Sequence, residues 1–288
     1  MPEYKRQHFL PAVYLKNFSA VDDQDARKST LWRIDQNRCL QVPVNSQCAD
    51  DYLFSKTNPK KSEEDFQKIE EAFAAAMTKV WNGQRPAPYE YFALILAAVD
   101  FLMRNIKHMN RTGEEGIHAY NQRINSFLVR IVCKHDSSET LTLDEMYARL
   151  KKNWRVRLFR PPPGRLIMTS DNPVVYFKLD KSNDASDCIL FPLTPSICAA
   201  IFDARYICAS GNFLRDSDVD RLIELLASQC NECFYTAEEP SETEVNSLRS
   251  LMKNRSTPMS VTDSRQWEFD TFKIPQPDIF SFIRPKTI

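Results

Sequence analysis

Arg165-Leu166-Ile167-Met168-Thr169-Ser170-Asp171-Asn172-Pro173-Val174-Val175-Tyr176-Phe177 decides how this chain is read. Two apolar, β-prone runs, Leu166 to Met168 and Val174 to Phe177, read as consecutive buried strands. The residues between them do not suit a strand interior. Ser170, Asp171 and Asn172 turn the backbone with their own side chains, and Pro173 withholds a ladder donor and pushes Asn172 into an extended conformation. Asp171 is therefore expected at a strand end, on a stiff turn, where open sheets present ligand-binding groups.

Working back from that turn, Pro161-Pro162-Pro163-Gly164 breaks an alternating strand over Trp154 to Leu158. Every charge from Arg149 to Arg165 is basic: Arg149, Lys151, Lys152, Arg155, Arg157, Arg160 and Arg165. Such a stripe marks a phosphate-bearing partner, with Arg155 and Arg157 as substrate contacts, or else a solvated strand face. Upstream, the spacing predicts helices. One runs from a weak capping box at Ser62 and Asp65 to Trp81, with Phe66, Ile69, Phe73, Met77 and Val80 inward and Glu63, Glu64, Glu70 and Glu71 on the polar side. Glu70, beside Ile69, flanks the apolar stripe. Pro86-Ala87-Pro88 starts a second helix, apolar on nearly every face from Tyr89 to Met103. Asp100 and Arg104 lie one turn apart there. They either satisfy each other or leave Arg104 to grip an anion. Helices over Glu114 to His135 and Leu143 to Leu150 complete an antiparallel bundle.

Near the start, His8-Phe9-Leu10-Pro11 leads into a short helix with Tyr14, Leu15 and Phe18 on one face. His8 titrates near neutrality and serves either as an acid–base group or as an anchor for the chain entry. Leu31 to Asp35 and Cys39 to Val44 form a hairpin whose second arm, carrying Pro43, lies at an edge. Asp50 and Asp51 read as turn residues. Beyond the central stretch, Cys188 to Pro195 carries two prolines and is expected at a sheet edge or strand end. Ile197 to Phe202 and Arg205 to Ala209 read as a meander, and Asp216 to Ala227 as a helix. Trp267 to Phe272 alternates like a strand, and a proline-bearing tail follows.

The totals bound the rest. The chain has 288 residues and is 43% hydrophobic, enough for a substantial core. Lysine plus arginine equals aspartate plus glutamate at 38 each, so only a local patch would attract nucleic acid. Five glycines and no GxGxxG or GxxxxGK[ST] rule out a glycine-rich phosphate loop. No signal peptide or spanning segment is apparent, so a cytoplasmic protein without a membrane partner is expected. Its eight cysteines then read mainly as reduced, buried small hydrophobes. The single CxxC, Cys230 and Cys233, has no second half to complete a zinc site.

Three landmarks together resemble a known family. His8-Phe9-Leu10-Pro11 with Tyr14-Leu15 and Phe18 is the first, Thr169-Ser170-Asp171-Asn172-Pro173-Val174 the second, and Phe191-Pro192-Leu193-Thr194-Pro195 the third. With Leu31-Trp32 and the glutamate-rich helix between them, the chain resembles the family filed as domain of unknown function 4238, from about His8 to beyond Pro195. The family's opening usually has tyrosine where this chain has Phe9. The resemblance implies a fold shared with mainly bacterial proteins and names no activity. If its matching positions form a site, the candidates are His8, Glu70, Arg104, Ser170, Asp171 and Asn172.

The expected fold is α+β: an antiparallel-rich sheet packed against a helical bundle lobe, in one domain over 1–288. Residues 60–150 would form the helical lobe, and 1–59 plus 151–288 the sheet-containing lobe, with His8, Arg104 and Asp171 in the cleft between them. The first functional expectation is a metal-assisted phosphodiester hydrolase, nuclease-like, in a toxin or phage-defence setting. His8, Glu70 and Asp171 would be catalytic, and Asp171 with Glu70 would hold magnesium or manganese. Arg104, Ser170, Asn172, Arg155 and Arg157 would bind substrate, a nucleic acid or other phosphate-bearing ligand. The alternative is a non-catalytic module with a protein partner, in which the same polar residues are structural. A thiol enzyme, the third class, needs a cysteine within reach of a histidine.

Overall fold

The computed structural model describes residues 6–19, 28–51, 53–54, 59–104, 114–132, 142–179, 187–254 and 280–286. The expected strand at Trp267 to Phe272 and the end of the third bundle helix, 133–135, lie outside them.

The central stretch joins two sheets. Thr169–Ser170 is a two-residue strand, β6, and Val175–Lys178 is β7. The preceding run, Leu166 to Met168, is extended but unpaired as a strand; Ile167 N–H donates to the Pro195 carbonyl at 2.8 Å. Thus the strand begins later than the apolar run suggests, because tertiary pairing and not composition sets its start. Upstream, β1 is Arg6–His8, β2 Thr30–Asp35, β3 Cys39–Pro43, β4 Ala49–Asp51 and β5 Trp154–Phe159. Downstream, β8 is Asp187–Thr194, β9 Ile197–Asp203, β10 Ile207–Ala209, β11 Cys233–Thr236 and β12 Ile283–Pro285. One antiparallel sheet has the order β3-β2-β11-β6, the other β5-β9-β8-β7, and the pairs β1-β4 and β10-β12 stand beside them. Pro43 does sit on an edge strand, β3. Asp50 and Asp51 lie in β4 rather than in a turn, and Ile207–Ala209 pairs with the C-terminal β12, not with β9.

Helices α1 (Ala12–Leu15), α2 (Pro59–Trp81), α3 (Pro88–Met103), α4 (Glu114–Val132) and α5 (Leu143–Asn153) precede β5. Helices α6 (Asp216–Gln229) and α7 (Glu242–Lys253) follow β10. Helix α2 starts at Pro59, so Ser62 lies inside it and does not cap it. Pro88 takes the first position of α3, where its missing N–H costs nothing, and Glu90 reaches back to accept the Ala87 N–H at 2.6 Å. The apolar α3 sits at the centre of the bundle, against α2, α4 and β5.

Strand β8 is interior along its first half and edge-like only at its proline-bearing end, in keeping with the expected strand end. All eight of its residues are buried, and it lies between β7 and β9. Its alternation explains this. Ile189, Phe191 and Leu193 join the core shared with the helical bundle, while Cys188 and Leu190 join the core under α6 and α7. The sheet is thus covered by helices on both faces. Pro192 is tolerated because β7 pairs only with Asp187 to Leu190, and a register shift falls at Pro192 and Thr194. Beyond that point β8 has a ladder on one side only. The Pro192 carbonyl is taken by the Tyr14 hydroxyl at 2.8 Å, and that hydroxyl also bonds Thr169 Oγ1 at 2.6 Å. Tyr14 therefore ties the three sequence landmarks together. Among the described residues no helix is long and apolar enough to cross a membrane.

Candidate functional site

The expected site residues other than Arg155 and Arg157 gather around two centres. The first is built on the central turn. Asp171 follows β6 and is 4% exposed. Its Oδ1 accepts the Asn231 N–H at 2.7 Å, and its Oδ2 accepts those of Glu232 at 2.6 Å and Cys233 at 3.3 Å. Its own N–H donates to the Cys233 carbonyl at 3.1 Å. The carboxylate therefore clamps the link from α6 to β11. Burial pushes its pKa up to about 6, against the pull of the three amides. Ser170 Oγ donates to the Asn172 carbonyl at 2.9 Å and accepts the Asn172 N–H at 3.2 Å. Asn172 Nδ2 donates to the Gln229 carbonyl at 3.1 Å, and Gln229 Nε2 returns a bond to the Asn172 carbonyl at 2.7 Å. Ser170 thus braces the turn's own backbone, while Asn172 binds the last residue of α6 and Asp171 the residues that follow it. Over the clamp lies a pocket of about 230 Å³, lined by Phe9, Arg33, Cys48, Asp50, Glu232 and Tyr235 among others.

The second centre surrounds Arg104, at the end of α3 and 1% exposed. Its Nε donates to Asp100 Oδ1 at 3.0 Å, Nη2 contacts Asp100 Oδ2 at 2.6 Å, and Nη1 donates to Glu70 Oε1 at 2.8 Å. The guanidinium lies 3.8 Å over the Phe66 ring. Tyr120, from α4, also donates to Asp100 Oδ1. Phe54, Phe66 and Tyr120 form an aromatic wall. The Phe54 N–H is fixed by the buried Gln7 side chain at 2.6 Å, and Gln7 precedes His8 on β1. Burial and the charges of Arg6 and Arg104 lower the His8 pKa, against the Asn45 carbonyl that its Nε2 contacts at 3.3 Å. Burial pushes Glu70 up, less the attraction of Arg104. Burial and then repulsion from Glu70 push Glu63 up to about 7.

The structure therefore brings Glu70 and Arg104 into contact and His8 into their electrostatic field. It leaves Asp171 in the other centre, with the β1–β4 ribbon serving both: Phe9 and Asp50 line the Asp171 pocket, while Gln7 supports the Arg104 wall. Both Asp171 oxygens face amides, Glu70 faces Arg104, and among the described residues no three His, Cys, Asp or Glu side chains cluster to hold an ion. The basic stripe is divided. Arg157 donates to the Gly211 and Ala209 carbonyls at 3.0 and 2.8 Å, and Arg165 pairs with Asp220 at 2.5 Å. Arg155 is exposed and folds onto the Lys152 and Trp154 carbonyls at 2.8 Å. The two CxxC thiols separate, Cys230 into the core under α6 and Cys233 into the core shared with the bundle.

Glu63 is the residue that sequence reasoning assigned to a solvated face. Its signal was present: Glu63, Phe66, Glu70 and Phe73 recur at three- and four-residue spacing and so share the inward edge of α2. The raised Glu63 predicts a pH effect. An acid whose folded pKa exceeds its ordinary 4.5 stabilises the fold fully below 4.5 and loses that contribution as pH rises through about 7. Asp171 acts with the same sign between 3.8 and about 6. His8, lowered from 6.5, opposes them, losing its contribution only as pH falls. Above pH 6.5 His8 no longer opposes the raised Glu63, and Glu70, raised by burial, acts in the same direction. The melting temperature should fall from there to about pH 8, and Glu63→Gln should flatten that slope in a thermal-melt series.

Fold and centres together define an α+β protein with a clamped carboxylate turn where its two sheets join and a buried arginine–carboxylate centre in its helical bundle. The chain belongs to the family described as Protein of unknown function (DUF4238), whose model matches residues 6–239. No curated protein and no solved structure matches it.

Proposed function

We propose that the chain is a hydrolase with an acid–base centre at His8, Glu63 and Glu70 around Arg104, acting on a phosphate-bearing substrate with nucleic acid as the first candidate. The observation that carries this reading is the convergence of these ionisable groups on one buried guanidinium, with environments that push an acid and a base in opposite directions. At neutral pH the lowered His8 favours its neutral form and about half of Glu63 keeps its proton, so a base and an acid are both present. If His8 Nε2–H donates to the Asn45 carbonyl, Nδ1 is free to take a proton from water. Glu63 would then protonate the departing oxygen. Arg104 is too deeply buried to touch substrate, so it acts by holding Glu70. A metal shared by Asp171 and Glu70 has no part in this scheme.

The test is cleavage of labelled RNA and DNA, with and without magnesium or manganese. Glu63→Gln should lower turnover by about 10²–10⁴-fold, the usual worth of a general acid, while leaving the fold intact by circular dichroism. Cleavage at the wild-type rate by this variant, or none by wild type, would reject the reading. A toxin or phage-defence role belongs to the same proposal. It requires that expression of wild type, and not of Glu63→Gln, arrests bacterial growth. The second reading, a non-catalytic module with a protein partner, is supported by the Asp171 turn, whose polar groups are engaged with backbone.

A further inference from the structure

We propose that Phe213 and the arginines beside it, Arg155, Arg157 and Arg160, form a surface that binds single-stranded nucleic acid, with one base stacked on the ring and phosphates on the guanidinium groups. The inference rests on the reading of nucleic acid as substrate and names where the strand is held. Phe213 is 65% exposed. A lone exposed aromatic is ordinary on a protein surface. The frame around this one is what sets it apart. Gly211, at φ 74°, takes the chain through a left-handed turn just ahead of it, which glycine does without strain. Arg160 N–H donates to the Asn212 carbonyl at 2.9 Å, and Leu214 N–H donates to the Arg160 carbonyl at 2.8 Å. Phe213 is thereby bridged to Arg160, while the next residue, Leu214, is buried in the core under α6. Arg157 holds the same turn through the Ala209 and Gly211 carbonyls. The backbone is fixed and the ring is left in solvent, so stacking on it costs little ordering entropy.

Charge supplies the rest. Arg155 and Arg157 alternate with apolar residues on β5, the edge strand of its sheet, so they share a face about 6.6 Å apart. Their hydrogen bonds to carbonyls orient the guanidinium groups and leave the charge uncancelled. Arg160 is exposed, and among the described residues no acid pairs with it. The C-terminal segment adds Arg284 and Lys286, and Phe282 packs it onto Phe159 of β5, ring centroids 4.3 Å apart. Across 154–165, 197–215 and 280–286 the one acid is Asp203, and Arg205 takes it at 2.6 Å. Asp216 and Asp220, the next acids along, face Arg165. This face is therefore cationic although the chain as a whole is neutral. A duplex would offer it phosphates but no open base face for Phe213, so the aromatic selects a single strand.

Binding would be read by fluorescence anisotropy of labelled DNA and RNA oligonucleotides, as single strands and as duplexes, without divalent metal. Wild type should prefer the single strands, with an affinity that falls as salt rises. Phe213→Ala should weaken binding roughly 5- to 150-fold, the worth of one stacked base. Its melting temperature should not change, because the ring is in solvent. Phe213→Trp should retain the affinity. Arg160→Gln should lower the salt slope by about 0.7, the share of one phosphate contact on a single strand. Each variant is also made in the Glu63→Gln background, so affinity is read whether or not the strand is cut, and an absence of cleavage leaves this test intact. Wild-type binding weaker than about 10⁻⁴ M at physiological salt, a preference for duplex, or undiminished affinity in Phe213→Ala would overturn the proposal.

Discussion

Arg104→Met should lower the unfolding free energy by about 3–5 kcal/mol, the usual cost of removing one partner from a buried ion pair. The attraction between Arg104 and its acids is only part of that figure. Most of it comes from Asp100, 1% exposed in its side chain, which would lose its cation and remain in the core. Methionine fills similar space, so little of the loss would be cavity. Arg104→Lys should recover only part, because one ammonium cannot span Glu70 and Asp100 and loses the flat contact with Phe66. Urea denaturation at neutral pH measures the loss. Repeating it at pH 5 sharpens the argument: protonation of the orphaned carboxylates becomes easier there, so the gap between wild type and Arg104→Met should narrow. A double variant, Arg104→Met with Asp100→Asn, should be more stable than the sum of the single losses predicts. A cost below about 1 kcal/mol, the range of a surface pair, would mean that the network is not what joins α3 to α2 and α4.

The Asp100–Arg104 pair was legible because a helix places residues one turn apart on one face, and because an apolar helix leaves two charges little choice but each other. The same local logic exposed the Pro43 edge strand, the bundle and the turn before Pro173. What escaped were the features fixed by distant partners. Nothing near Pro192 says that β7 stops short of it, so the two-proline run showed a sheet edge or strand end but not that the first half of β8 is interior and buried on both faces. Strand β11 is only Cys233–Thr236, too short a run for its alternation to stand out in the sequence. Helix α7 did carry a signal, the capping box of Ser241 and Glu244 before Val245, Leu248 and Met252. At the site, residue types were legible but their partners were not. Asp171 looked free because its acceptance of three amides from 231–233 spans about sixty positions of chain. Glu63 looked solvated because its neighbour Glu64 is.

Asp171→Ala should cost about 3–6 kcal/mol, taking two charge-assisted bonds at about 1.5–3 kcal/mol each as the main loss. Three buried or half-buried N–H groups, of Asn231, Glu232 and Cys233, would be left without the acceptor that now holds them. Water can reach them through the pocket only in part, so some of each desolvation cost would remain. Asp171→Asn should fall between alanine and wild type, since one carbonyl oxygen still accepts while the amide NH2 opposes the donors. The structural consequence would extend along the chain. The clamp fixes the link between α6 and β11, and β11 sits between β2 and β6, so loosening it should raise amide exchange in both neighbours. This separates the two centres by experiment. If Asp171 is a clamp and the acid–base centre is at Glu63, Asp171→Asn should lose melting temperature but keep its turnover per folded molecule. Glu63→Gln should show the reverse pattern, losing turnover while the fold persists. If Asp171→Asn instead melts like wild type and loses cleavage, the chemistry belongs at the Ser170-Asp171-Asn172 turn, and the amides that now hold the carboxylate would be orienting a catalytic group.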